Sequence, residues 1–207
     1  MRLLVVLMAG LLCGPVAAQD LPALHDVAGV AANDQLNIRA EPSASAAILG
    51  SFPPGTDAVE VTALSADGRW GRVNLEEGAG WVAMRYMARQ SGPGWADLAQ
   101  PLACFGTEPF WSLNFSPAEA DLRFNRMGEE PLDLRAGWAA PVSGRRGMVG
   151  LALAGAAETG FLTLTGQDCS DGMSDRGYGI GIALFLNGSG ASTAEAAGWS
   201  GCCSLDR

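Results

Sequence analysis

The sequence predicts an all-β chain: a small closed barrel, then an antiparallel β-barrel or sandwich of about eight strands held by two disulfides. Three observations carry this. Apolar and polar residues alternate over short runs, as in half-buried strands. Clusters of Gly, Pro, Asn and Asp punctuate those runs at close spacing. No segment has the sustained helical periodicity of an amphipathic helix, and Thr193–Ala197 is only a weak helical turn.

In the first part of the chain the expected strands are Val27–Ala31, Leu36–Arg39, Ala46–Ser51, Ala58–Leu64, Trp70–Leu75 and Gly80–Ala83. Between them stand Asn33-Asp34, Glu41-Pro42, Pro53-Pro54-Gly55, Asp67-Gly68 and Glu77-Gly78, all turn formers. Val59 and Val61 alternate with Glu60 and Thr62, the pattern of a strand with one face buried. So many short strands in so short a segment suggest closure into a barrel.

The residues within these strands form ordered motifs. Leu36-Asn37-Ile38-Arg39-Ala40-Glu41-Pro42-Ser43 comes first, followed by Pro53-Pro54-Gly55. Gly68-Arg69-Trp70-Gly71-Arg72-Val73, Gly80-Trp81-Val82 and Tyr86-Met87 complete the series. The whole segment resembles the bacterial SH3 (SH3b) domains. The resemblance implies an SH3-like barrel over residues 19–89 that binds peptides or cell-wall components, or acts as a spacer.

Residues 90–100 contain Ser91-Gly92-Pro93-Gly94 and read as a linker, with Trp95 expected to dock on one of the two domains. From Leu102 the alternation resumes. Trp111, Leu113 and Phe115 form one apolar face, Leu122 and Phe124 another, and Leu132 and Leu134 a third. Val149, Leu151 and Leu153, then Phe161–Thr165, then Ile180–Leu186 continue the series, so residues 101–207 form the second β domain. Its Gly106-Thr107-Glu108-Pro109-Phe110-Trp111, Cys169-Ser170-Asp171-Gly172-Met173-Ser174-Asp175 and Gly201-Cys202-Cys203 elements resemble an uncharacterised family of secreted or lipid-anchored bacterial envelope proteins. That resemblance implies a location and a fold but no activity.

Residues 1–18 have the form of a secretory signal: Arg2, an apolar Leu3–Leu12 core, and Val16-Ala17-Ala18 before the first mature residue, Gln19. Cys13 raises a lipoprotein alternative, but Leu12 stands where a small residue is needed. No later stretch approaches the ~20 apolar residues of a membrane span. A periplasmic or secreted location is therefore expected. The net charge of −9 makes nucleic acid and polyanionic membranes poor partners. The chain contains no lysine.

Four cysteines remain in an exported second domain: Cys104, Cys169, Cys202 and Cys203. Their even number reads as a disulfide framework. A bond between the neighbours Cys202 and Cys203 would be strained. Two pairings remain, each joining Cys104 and Cys169 to the C-terminal strand. Adjacent strand residues face opposite sides, so one bridge belongs inside the barrel and the other outside. Neither Cys-x-x-Cys spacing nor a second-domain histidine supports a zinc or thiol-redox site.

Catalytic candidates are sparse. His25 is the only histidine and is expected at the surface, away from every cysteine. Glu108, beside Phe110 and Trp111, is the best candidate acid, because burial there would raise its pKa. Asp168, Asp171 and Asp175 crowd one loop that could hold calcium, or form a polar turn capped by its own side chains. Neither a cofactor nor a metal is called for, and a non-enzymatic binding protein is expected. Its groove residues would be Trp70, Arg72 and Tyr86, with Trp81 in the core and Trp70 partly exposed. Arg39 and Arg72 are candidates to pair with a ligand carboxylate. The expected ligand is a peptide or peptidoglycan component. The alternative is a secreted inhibitor of the lysozyme-inhibitor kind carried by the second domain, with Ser174 to Tyr178 as its recognition loop.

Overall fold

The computed structural model describes residues 21–188 and 196–205. The expected signal segment, and most of the Thr193–Ala197 turn, lie outside the described residues. Among these residues no helix is long and apolar enough to cross a membrane.

The first module has eight short strands in two sheets. One sheet has the order β4 (Val59–Val61), β1 (Ala23–Val27), β8 (Met87–Arg89). The other runs β3 (Ile48–Phe52), β2 (Leu36–Arg39), β7 (Ala79–Ala83), β6 (Trp70–Asn74), β5 (Ala63–Leu64). Alternation fills the space between them with Val27, Leu36, Ile38, Val59, Val61, Val73, Val82 and Met87. The first strand is Ala23–Val27 rather than Val27–Ala31. Ala23, His25 and Val27 form its inward face, so His25 is 1 % exposed, not at the surface. Its Nδ1 lies 3.0 Å from the Ala23 carbonyl, which can only accept, so that nitrogen carries the proton. Burial holds the imidazole pKa below its ordinary value.

The second module is a closed antiparallel barrel of eight strands. In order they are β9 (Leu102–Thr107), β10 (Phe110–Ser116), β11 (Asp121–Arg126), β12 (Leu132–Pro141), β13 (Met148–Ala154), β14 (Glu158–Cys169), β15 (Tyr178–Gly188) and β16 (Ala197–Leu205). Each pairs with the next, and β16 closes on β9 with Cys203 opposite Cys104. The disulfides are Cys104–Cys203, inside the apolar core, and Cys169–Cys202, on the outer side. The Cys202-Cys203 pair therefore splits its two sulfurs between the faces of β16, as strand geometry demands. Each bridge closes a loop long enough to contribute about 2–4 kcal/mol.

The segment between the modules is structured. Trp95–Asp97 forms one 3₁₀ turn, closed by the Asp97 carboxylate accepting the Gly94 N–H at 2.8 Å. Trp95 is 2 % exposed and belongs to the barrel core. Its indole N–H donates to the Leu21 carbonyl at 3.2 Å. The indole lies against Gly147 and Gly166, and a Cβ on Gly166 would stand 3.1 Å from the ring. Trp95 thus ties the start of the first module to the core of the second.

The modules also meet through the β14–β15 loop. Arg72 on β6 pairs with Asp168 at 2.6 Å. The Gly177 N–H donates to Asn74 Oδ1 and the Asp175 N–H to the Glu77 carbonyl, both at 3.0 Å. A Cβ on Gly177 would fall 2.6 Å from the Arg72 guanidinium, so a side chain there would displace Arg72 from this contact. Nearby, Glu60 accepts the Leu205 N–H at 3.0 Å. Enclosure between the modules pushes the Glu60 carboxyl up to about 7, against the opposing pull of Leu205 and Arg176.

That shift has a sign. The folded carboxyl holds its proton more tightly than the unfolded one, which titrates near 4.5. The stability linked to the protonated form is fully present below about pH 4.5 and lost as pH rises through about 7. Glu60→Gln should flatten the stability–pH curve across this window, removing a change of roughly 2–3 kcal/mol. Denaturant titrations between pH 4 and 8 measure it, and an unaltered slope in the variant contradicts the assignment.

Candidate functional site

The first module carries a cavity of about 400 Å³ between the Gly29–Leu36 loop, the end of β2 and the 3₁₀ turn Met84–Tyr86. Each side chain on it is placed by local structure. Trp70 opens β6 after a tight turn in which its N–H donates to Ser65 Oγ at 3.0 Å. The same turn is fastened by Asp67, which accepts the Ser65 hydroxyl, the Arg69 N–H and the Arg69 guanidinium. These donors, the Ser65 hydroxyl foremost, hold the Asp67 carboxyl well below the usual range.

Tyr86 sits on the 3₁₀ turn, where its carbonyl accepts the Ala28 N–H at 2.9 Å. Arg85 lies over its ring, 4.6 Å from the centroid, so the groove presents an aromatic face and a cation together. Arg39 fixes the opposite wall by donating to the Ala46 carbonyl at 2.7 Å. Asp34 adds one carboxylate. The cavity therefore combines apolar ring surface with charges of both signs, the chemistry that engages an extended peptide and its polar groups.

Of the three groove residues expected from sequence, Trp70 and Tyr86 line this cavity. Arg72 does not. Strand alternation puts Trp70, Arg72 and Asn74 on one face of β6, but the face is shared. Its first residue reaches the groove, and the next two reach the second barrel. Arg72 donates through Nε to Thr62 Oγ1 at 3.0 Å and through Nη2 to Asp168. The groove cation that sequence reasoning missed is Arg85. Its signal was its place beside Tyr86 in the same turn. Trp81 is half-buried rather than core, because the inward position on β7 is Val82 at 0 % exposure.

The second module's motifs converge at the barrel rim. Thr107 Oγ1 donates to the Asp171 carbonyl at 3.1 Å, joining the two elements. Glu108 is exposed, not buried: it lies in the β9–β10 turn, which projects from the barrel. Asp171 points back into its own loop and accepts the Met173 N–H, the Ser174 N–H and the Ser174 hydroxyl between 2.8 and 3.0 Å. Burial acts to raise this carboxyl, and the donors together outweigh it, so its pKa lies below the ordinary value. Asp168 meanwhile turns to Arg72. The loop's carboxylates thus serve backbone and intermodule contacts. Ser174 to Tyr178 runs into the interface, with Tyr178 2 % exposed.

Arg72→Ala should lower stability by about 1–2 kcal/mol, since Arg72 is mostly buried while its partner Asp168 is largely exposed. It should leave ligand affinity of the groove unchanged. Thermal unfolding beside a binding assay separates the two effects, and weakened binding without loss of stability would return Arg72 to the groove.

Compared with known proteins, no curated protein and no solved structure matches the chain. One family does match, and the matched residues include Trp70, Arg85 and Tyr86 but none of the second barrel. Residues 34–88 match the family described as the bacterial SH3 domain.

Proposed function

We propose that the protein acts in the cell envelope by binding a peptide, or a peptide-bearing cell-wall component, in the groove of its SH3 module. The observation that carries this reading is the meeting of Trp70, Tyr86, Arg85 and Arg39 around one cavity in that module. The role general to such domains, binding cell-wall or peptide ligands, supports it. Two disulfides are compatible with an extracytoplasmic location. A binding rather than catalytic role is supported by the state of the reactive side chains. The single histidine is buried on its own strand, and the four cysteines of the second barrel are oxidised. An inhibitor role through Ser174–Tyr178 has less support, because that segment is spent on the intermodule contact.

A single small cavity desolvates little surface, so affinity in the micromolar range or weaker is expected. Because the modules share an interface, point variants of the full chain are better probes than isolated modules. Against a soluble peptidoglycan stem peptide, which lacks the glycan, Trp70→Ala should weaken binding about tenfold, with unfolding behaviour retained. Equal affinity of the wild type and the variant would place peptide recognition elsewhere on the chain.

A further inference from the structure

The outer surface of the second barrel is divided by charge. On β11 and β12 it carries cross-strand ion pairs, Arg123 with Asp133 at 2.8 Å and Arg135 with Asp121 at 2.9 Å. On the next four strands the inward positions are core residues such as Leu151, Leu162, Leu164, Ile182 and Leu184. The outward positions alternate with these: 150, 152 and 154 on β13, 159, 161, 163 and 165 on β14, 181, 183, 185 and 187 on β15, and 198 and 200 on β16. They hold only Gly, Ala, Ser, Thr, Asn and Phe. Among the described residues these outward positions carry no charged side chain, on a chain of net charge −9.

At its centre Phe161 and Phe185 stand directly opposite each other on β14 and β15. Their rings lie down on glycines. A Cβ on Gly150 would sit 2.7 Å from the Phe161 ring, and one on Gly198 would sit 3.0 Å from the Phe185 ring. Glycine at those two positions lets each ring lie along the sheet and turn a face outward. Phe185 remains 55 % exposed. Trp138, on the bulge of β12, extends the row: it is 62 % exposed, and its ring centroid is 5.9 Å from that of Phe161. An open cavity of about 470 Å³ beside Phe161 and Phe185 is bordered by Thr159 and Asn187. The exposed rings of Phe185 and Trp138 with the open cavity beside them make this face a candidate interaction site.

We infer that this face binds an uncharged glycan chain, with sugar rings stacked on Phe185, Phe161 and Trp138. A pyranose ring offers a C–H face to an aromatic ring and hydroxyls at its edge. Here the aromatic faces are flanked by the Thr159 hydroxyl and the Asn187 amide, which can both donate and accept. The absence of charge fits a neutral ligand. An anionic polymer or lipid surface would meet an acidic protein with no cation among the described outward positions of this face to hold it. The site lies on a different module from the SH3 groove and stands or falls independently of it.

The test uses the full chain and soluble oligomers of β-1,4-linked N-acetylglucosamine, followed by calorimetry and tryptophan emission. Trp138→Ala combined with Phe185→Ala should weaken binding at least tenfold. Phe185→Tyr, which keeps the ring, should retain it, and Trp70→Ala in the groove should have no effect. Both alanine substitutions lie outside the core. Should the double variant nevertheless unfold, Trp138→Ala alone carries the test with a smaller expected loss. The inference is overturned if the wild type does not bind the oligomers at millimolar concentration, or if Trp70→Ala abolishes binding. It is equally overturned if the double variant only dissolves a dimer or only releases the protein from lipid vesicles.

Discussion

Until β16 returns beside β9, the second barrel has an open edge on each side and its core has no enclosure. The two cysteines that meet there are 99 residues apart in sequence, and their bridge lies within the core itself. Loop closure over that distance is an entropic cost carried by the unfolded chain, and a covalent link reduces it. The pairing of Cys203 with Cys104 also sets register. A slip by one residue would put Cys202 inside and turn the apolar face of β16 toward solvent. The second bridge, from Cys202 to Cys169, fixes the same strand from the outside and anchors the start of the loop that reaches the first module.

Closure turns the second barrel into a platform for the SH3 module. Trp95 fills the barrel core while its indole N–H holds the Leu21 carbonyl. The Asp168–Gly177 segment meets β6 through Arg72 and Asn74. One face of β6 therefore belongs partly to the cavity of the first module and partly to the interface. Trp70, which lines the cavity, sits two residues from the intermodule ion pair, so neighbouring positions of one strand serve two different contacts.

The strands were legible because alternation is a direct consequence of two-sided packing. Val59 to Val61, Trp111 to Phe115 and Ile180 to Leu186 could be read in this way, as could the opposed directions of Cys202 and Cys203. Position along a shared face was not legible. Arg72 and Trp70 have the same parity on β6, and only the docked barrel distinguishes them. His25 was misplaced because the first strand is short, begins at Ala23 and takes its inward face from a pattern too brief to read alone. Glu108 looked enclosed by its aromatic neighbours in sequence, but a turn at the barrel rim sends it outward while Trp111 goes in. The composition of Ser91–Gly94 marked a linker and left Trp95 to dock on one of the two domains; which one was not legible, because the core that receives it is built mostly from strands later in the chain.

On the proposed reading, the cavity of the SH3 module is where a peptide ligand binds. Chemical-shift mapping of the full chain against a soluble peptidoglycan stem peptide addresses this directly. The largest changes should fall on Trp70, Arg85, Tyr86 and the Asp34–Asn37 segment, with the intermodule residues Arg72 and Asp168 little affected. Changes confined to the second barrel, or centred on Arg72, would contradict it.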